Sequence, residues 1–274
     1  MHWFLEPLTY PFMVRGLIAS LLVGTVCAVL GAYIVLKGMA FFGDALAHAI
    51  LPGVALAYLA RWPLFSGALL AGTATALGIG YLTRRGQIKE DTAIGIIFSG
   101  AFALGVAMLS SIEAYSVDLT HILFGNILGV STDDLWLTAG LGGLVLLLVA
   151  ALYKEFLVLA FDPLLARVLR LPVTLLRYLL LVMIAVTVVV SLQTVGVALM
   201  VAMLVTPAAT ASMLTRRLPA MMGLAAVLGS FSAVAGLYIS YYFNVASGPA
   251  VVLVCTGLFG VVMALSPRRW LKRG

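Results

Sequence analysis

The chain has 274 residues, of which 64% are hydrophobic and only 9% are charged, and its mean hydropathy is +1.18. Soluble globular domains are about half apolar and a quarter charged, so the composition excludes that class and also excludes an intrinsically disordered chain. Because a membrane-spanning helix needs about 20 apolar residues, the length allows about nine spans. We therefore predict an all-α polytopic membrane protein that forms a single transmembrane domain over residues 1–274.

Apolar runs that are separated by short polar or Pro- and Gly-containing breaks predict the individual spans. They cover residues 12–36, 44–60, 64–82, 92–111, 134–153, 175–193, 195–214, 220–242 and 249–265. The break between the sixth and seventh spans, just before Gly196, is only mildly polar, so an eight-span chain with one long helix is the alternative. The first run is too long for a signal peptide and has no basic segment before it, so it is predicted to be the first span.

The basic residues predict the orientation, because cytoplasmic loops of membrane proteins are enriched in lysine and arginine. With nine spans and a cytoplasmic C-terminus, fourteen of the sixteen basic residues lie on the cytoplasmic side, all except Arg15 and Arg61. We therefore expect the N-terminus outside and the C-terminus in the cytoplasm. This topology explains the net charge of +6 without a nucleic-acid partner.

The strongest candidate site opens the second span, where two ionisable residues lie in an apolar segment. Asp44 and His48 are four residues apart, so on a helix their side chains share one face. A carboxylate and an imidazole together suit manganese, iron or zinc. Pro52 and Gly53 are candidate pathway or gate residues, because helix breaks free backbone carbonyls at transport sites. The structural alternative is that Asp44 caps the helix and His48 donates to a backbone carbonyl.

Two ligands from one chain are too few for a specific metal site, whereas two copies about a two-fold axis would supply four ligands. We therefore expect a homodimer. The polar stretch at residues 111–134 contains several acids and no lysine or arginine; it is expected to attract cations, with a simple solvated loop as the alternative. Within it, Asp118 and His121 are a candidate accessory metal site, and Asp133 is a candidate N-cap for the fifth span.

A third polar segment covers residues 154–174 on the predicted cytoplasmic side. Asp162 suits an N-cap and Pro163 suits the first helical position, so a short amphipathic, basic helix is predicted from Pro163 to about Arg170, ended by Pro172. Such a helix either lies on the lipid surface or docks into a groove of another protein. The sequence contains no phosphate-binding loop, so ATP used in transport is expected to bind to another chain.

Four separated motifs resemble the permease subunits of bacterial manganese, zinc and iron ABC importers. They are residues 36–53, the triplet Phe161-Asp162-Pro163, residues 195–199 and residues 206–211, and together they extend over nearly the whole chain. The resemblance implies a fold of the vitamin B12-importer type and a homodimeric pore in the bacterial cytoplasmic (inner) membrane. It also implies two cytosolic ATPase subunits and an extracytoplasmic solute-binding protein as partners.

The same resemblance implies roles for particular residues. Asp44 and His48 match the intramembrane pair that contacts the metal in this family, and Thr206 and Pro207 are further pathway or gate candidates. The segment that matches the family's ATPase-coupling helix comprises Phe161, Asp162, Pro163, Leu164, Leu165, Ala166 and Arg167.

The transported metal is left open by these motifs. Thr206 and Asn126 stand where the zinc branch of the family more often has an aliphatic residue and an aspartate, so manganese or iron is favoured. An Asp/His site also accepts zinc, and intrinsic affinity favours zinc, so a zinc importer is the alternative. No permanently bound cofactor is expected. A stand-alone secondary metal transporter and an intramembrane metalloenzyme are rival classes, and both need more intramembrane ionisable residues than Asp44 and His48.

Overall fold

The computed structural model describes residues 6–84, 88–111 and 127–265. Throughout these ranges the regular structure is helical, which confirms the all-α prediction. Two 3₁₀ turns lie at Pro7–Thr9 and Ile127–Gly129. The α-helices are α1 (Pro11–Lys37), α2 (Phe42–Ala49), α3 (Leu51–Ala60), α4 (Leu64–Thr83), α5 (Glu90–Ser110), α6 (Thr132–Ala151), α7 (Tyr153–Phe161), α8 (Pro163–Val168), α9 (Val173–Val195), α10 (Val197–Leu214), α11 (Leu218–Phe243) and α12 (Ser247–Leu265).

Nine segments within the described residues are long and apolar enough to cross a membrane, with α2 and α3 counted as one span. The nine predicted spans are therefore confirmed, and each predicted boundary falls within about two residues of the observed helix end. The eight-span alternative is wrong, because Gly196 separates α9 from α10 with a φ of 81° and a ψ of 169°. This backbone conformation is essentially restricted to glycine and cannot continue a helix.

The second span is broken into α2 and α3 at Ile50. Pro52 causes this break, because it has no N–H to donate to the His48 carbonyl and its ring crowds that carbonyl. Proline is tolerated in the first turn of α3, where no helical partner for its N–H exists in any case. The interruption therefore lies one residue after α2, the helix that carries Asp44 and His48.

The helices pack in two groups. In the first, α1 packs against α10 and α11, and α12 packs against the same two helices; in the second, α4 and α9 pack together with α2, α3 and α5. One large apolar core joins the two groups and includes the fully buried Tyr33, Phe42 and Leu204. We call the end of the bundle at which α8 lies the α8 end, and the other end the opposite end.

Glycines set the closest helix contact of the second group, where α3 crosses α4. Gly53 and Gly67 face each other at this crossing, and a Cβ atom on Gly53 would lie 2.5 Å from Ala71 Cβ and 2.9 Å from the Gly67 carbonyl carbon. In a membrane, such small residues let helix backbones approach where burial from water supplies no driving force. The α3–α4 contact is therefore one of backbone against backbone.

The start of α6 differs from the prediction. Ser131 is the N-cap, with its hydroxyl accepting from the Asp134 N–H at 3.1 Å while the Asp134 carboxylate accepts from the Ser131 N–H at 3.2 Å. This reciprocal arrangement is a capping box. The prediction that Asp133 caps this helix is wrong, because the helix begins at Thr132 and Asp133 is already in its first turn.

Candidate functional site

Asp44 and His48 lie one turn apart on the same face of α2, as their spacing predicts. Asp44 Oδ1 is 3.7 Å from His48 Nε2, and the side chains of Asp44 and His48 keep 32% and 26% of their surface exposed. No side chain caps the N-terminus of α2, so the alternative in which Asp44 serves as the cap is not what the structure shows. Both side chains therefore remain partly accessible within the span.

Two phenylalanines of α5 pack beside His48, and we call this pair the aromatic wall. The ring centroid of His48 lies 5.8 Å from that of Phe102 and 6.0 Å from that of Phe98, and the two phenylalanines stack on each other at 5.9 Å. Such an apolar shell fixes the orientation of an imidazole and limits the access of water to it. Sequence reasoning missed both residues, because their contact with His48 arises from the packing of α5 on α2.

On the opposite side, α10 supports α2 close to Asp44. A Cβ atom on Gly43 would lie 2.6 Å from Leu204 Cδ2, so Leu204 packs directly on the backbone next to the carboxylate. Thr206 and Pro207 follow on the same helix, with Pro207 buried inside it and the Thr206 carbonyl accepting from Thr210 Oγ1 at 2.7 Å. Leu204 therefore contacts α2, whereas Pro207 faces α11, where a Cβ atom on Gly229 would lie 3.6 Å from Pro207 Cγ. The role of Thr206 and Pro207 as gate residues stays a prediction.

Pro52 and Gly53 lie at the start of α3, between α4 and α5. Gly53 meets Gly67 of α4, as described above, and Pro52 packs on α5, where a Cβ atom on Gly105 would lie 3.0 Å from Pro52 Cδ. Both residues therefore fix the position of α3 relative to its neighbours. Their role as gate residues stays a prediction.

A cavity of about 370 Å³ opens at the opposite end of the bundle, between α3, α4 and α9. Its lining is largely apolar and extends to Ala47 on α2, while Asp134 and Gln193 supply polar groups near the end of the bundle. Gln193 Nε2 donates to Asp134 Oδ1 at 2.9 Å. Ala47 faces this cavity whereas His48 faces α5, so the cavity and the Asp44–His48 pair lie on different faces of α2.

At the α8 end, the start of the predicted coupling helix is confirmed. Asp162 is its N-cap, and its carboxylate accepts from the N–H groups of Leu164 at 2.9 Å and Leu165 at 3.0 Å. Pro163 occupies the first helical position. Phe161, immediately before the cap, ends α7, a helix that the sequence analysis did not separate from the loop.

The predicted end of this helix is two residues too late. α8 ends at Val168, because Arg170 adopts a left-handed conformation with a φ of 57°. The Arg170 N–H donates to the Arg167 carbonyl and the Leu171 N–H donates to the Ala166 carbonyl, both at 3.0 Å. These two bonds form a Schellman motif, which satisfies the last carbonyls and stops the helix.

The side chains of α8 are unusually exposed for a helix of apolar composition. Ala166 is fully buried and attaches the helix to the bundle, whereas Leu164 and Val168 keep 71% and 77% of their surface exposed. Exposed apolar side chains on a rigid short helix are typical of a surface that another protein covers.

Asp118 and His121, the candidate accessory pair, lie outside the described residues. Among residues 6–84, 88–111 and 127–265, no group of three or more His, Cys, Asp or Glu side chains could hold a metal ion. Within the described residues, Asp44 and His48 therefore lack a third side-chain ligand from the same chain.

Nine apolar spans, an ionisable pair within one of them and an exposed helix at one end define a polytopic membrane transport protein. Residues 9–266 match the family model described as the ABC 3 transport family. The chain belongs to this family, and the resemblance noted in its sequence is confirmed. It is a multi-pass protein of the bacterial cytoplasmic membrane.

Similar proteins match over nearly their full length. The manganese transport system membrane protein MntC of Halalkalibacterium halodurans is 47% identical over 97% of this chain and 91% of its own length. The chelated iron transport system membrane protein YfeD of Yersinia pestis is 44% identical over 94% of this chain and 86% of its own length. Among solved structures, PsaBC from Streptococcus pneumoniae in complex with Fab contains a chain 41% identical to this one, with a TM-score of 0.85 and 98% of both chains covered.

Proposed function

We propose that the chain is the pore-forming permease subunit of an ATP-driven importer of divalent transition-metal ions, with Mn²⁺ as its main cargo. The observation that carries this proposal is the partly exposed pair of Asp44 and His48 inside a membrane span. Ionisable groups at such positions mark ion pathways. A carboxylate oxygen and an imidazole nitrogen suit Mn²⁺ and Fe²⁺, and the names of the similar proteins refer to manganese and chelated iron.

The functional unit is a homodimer in which each chain contributes Asp44 and His48 to one ion. A single chain supplies two ligands, and both retain exposed surface on the side of α2 that is not used by the cavity. Two copies about a two-fold axis supply two carboxylates and two imidazoles. The ion is held weakly, because conduction requires that it leave again.

ATP is hydrolysed by separate cytosolic subunits that dock on α8. Leu164 and Val168 enter a groove of the ATPase, while the capped N-terminus and the Schellman motif keep α8 rigid enough to transmit force. The α8 end is then cytoplasmic, in agreement with the distribution of lysine and arginine. A solute-binding protein delivers the ion at the opposite end.

The experiment is metal uptake by proteoliposomes that contain this chain and its ATPase, with the solute-binding protein supplied at the opposite end of the bundle. We expect ATP-dependent accumulation of ⁵⁴Mn²⁺ that Asp44→Asn and His48→Gln each abolish. Asp91→Asn is the matched control, because it makes the same chemical change at an exposed residue of α5. Wild-type uptake by the Asp44→Asn, His48→Gln double variant would refute the site.

Two further arms of this experiment separate the alternatives. Uptake by liposomes that lack the ATPase would establish a stand-alone secondary transporter and refute the ABC mechanism. Competition among Mn²⁺, Zn²⁺ and Fe²⁺ ranks the three ions by how well they are transported. Stronger transport of Zn²⁺ than of Mn²⁺ would make zinc the main cargo and leave the proposed mechanism unchanged.

A further inference from the structure

A polar cluster at the α8 end connects helices that are distant in sequence. Arg177 in the first turns of α9 meets Thr83, the last residue of α4, and Glu90, the first residue of α5. Lys37, the last residue of α1, interacts electrostatically with both Glu90 and Arg177. The end of α4, the start of α5 and the start of α9 are thus joined by one group of side chains, which lies apart from the Asp44–His48 pair.

Arg177 binds both partners at the same time. Its Nη2 donates to Thr83 Oγ1 at 2.9 Å, its Nη1 donates to the Thr83 carbonyl at 3.4 Å, and Nη2 forms an ion pair with the Glu90 carboxylate. The two ionic side chains are three-quarters buried and Thr83 is buried. Both charges also match the helix dipoles. The Arg177 guanidinium lies at the C-terminus of α4, which carries partial negative charge, and the Glu90 carboxylate lies at the N-terminus of α5, which carries partial positive charge.

A rigid turn connects α8 to the helix that carries Arg177. The Schellman motif at Arg170 and Leu171 closes α8, and the Val173 N–H donates to the Leu171 carbonyl at 2.8 Å where α9 begins. The interval therefore contains little flexible backbone. A displacement of α8 must move the first turns of α9, and Arg177 with them.

Helix α5 extends from Glu90 to the phenylalanines that pack beside His48. Glu90 and Phe98 are separated by eight residues of α5, which is about 12 Å along a helix axis. Phe98 and Phe102 form the wall beside His48. A movement of the N-terminus of α5 therefore changes the space next to the imidazole.

We propose that Arg177 is a positioning residue that couples α8 to α5, so that movement of α8 by the ATPase reaches the aromatic wall of the metal pathway. The proposal rests on the proposed function. Since one guanidinium holds Thr83 and Glu90 together, the coupling needs its planar, multidentate geometry, which an ammonium group does not reproduce.

The test measures ATP hydrolysed per Mn²⁺ accumulated, in proteoliposomes that contain the complete importer. The variants are Glu90→Gln, Arg177→Lys and Thr83→Val, with exposed neighbours as controls in Asp91→Asn and Arg84→Lys. We expect the first two to raise the ratio about fivefold or more, the lower bound of typical coupling between sites. The amount of ATPase that co-purifies with each variant should equal that of the wild type.

Arg177→Lys is the informative variant, because it keeps the charge and thus separates coupling from simple electrostatic stabilisation. A ratio for Arg177→Lys and Glu90→Gln within about twofold of the wild type would overturn the proposal. Where these two variants fail to fold, Thr83→Val decides, since it removes the hydroxyl that accepts from Arg177 and donates only within α4. An unchanged ratio overturns the proposal and a raised one supports it. Failure of the wild type to accumulate any metal with ATP would instead refute the proposed function.

Discussion

Replacing Gly53 by alanine tests whether the α3–α4 crossing is a backbone contact that admits no side chain. The added methyl group would lie 2.5 Å from Ala71 Cβ and 2.9 Å from the carbonyl carbon of Gly67. Carbon atoms in favourable contact are about 3.5–4.0 Å apart, so α3 and α4 must separate locally by about 1 Å. The obstacle is backbone, which cannot rotate away as the end of a flexible side chain can.

The magnitude follows from two opposing effects on the free energy of unfolding. Overpacking of this kind costs about 1–3 kcal/mol, and the rigid obstacle places Gly53→Ala near the upper value. Alanine recovers about 0.5–1 kcal/mol relative to glycine in a helix. The net loss is about 2 kcal/mol, and for a chain of this size each kcal/mol lowers the melting temperature by about 2–4 °C. We expect a decrease of about 4–8 °C.

The assay is thermal unfolding of the purified chain in detergent, followed by intrinsic tryptophan fluorescence. Gly140→Ala is the control, because a Cβ atom there meets nothing within 4 Å and the residue also lies within a helix. We expect Gly140→Ala to be neutral or slightly stabilising. A Gly53→Ala protein as stable as Gly140→Ala would refute the close packing of α3 on α4.

Three further predictions concern the helix ends and the docking surface. Leu164→Ala should weaken retention of the ATPase about thirtyfold, from about 2 kcal/mol of lost burial, as measured in a binding titration; Leu253→Ala, on an equally exposed leucine of α12, should leave it unchanged. Asp162→Ala should remove the cap of α8 at a cost of about 1 kcal/mol in the free energy of unfolding. It should also slow ATP-dependent uptake in samples that remain fully folded. Ser131→Ala should cost a similar amount at α6, visible in thermal unfolding, with metal uptake per folded protein unchanged.

Hydropathy was sufficient to predict the number and position of the spans, because each span must satisfy its own backbone and be apolar over about 20 residues. The details that it missed depend on local geometry. α7 was missed because Lys154 and Glu155 placed its residues in the predicted polar segment, whereas the structure begins a new helix directly after Leu152. The capping residue of α6 was misassigned because Ser131 and Asp133 both suit an N-cap, and only the backbone conformation distinguishes them.

The candidate site shows the same division between local and long-range information. The i, i+4 spacing of Asp44 and His48 predicted their shared face, because that relation lies within one helix. The wall of Phe98 and Phe102 depends on how α5 packs against α2, which no local pattern specifies. Arg177 contributed to the sequence analysis only as a positive charge, since its partner Glu90 is 87 residues away along the chain.

The most direct test of the metal pathway is to identify the ligands of the bound ion. Purified dimer loaded with Mn²⁺ should bind one ion per two chains, and pulsed EPR should detect coupling of that ion to imidazole nitrogen. We expect this coupling to disappear in His48→Gln and the bound manganese to be lost in Asp44→Asn, with Asp91→Asn unchanged. An identical nitrogen signal and ion count in the His48→Gln protein would contradict the account.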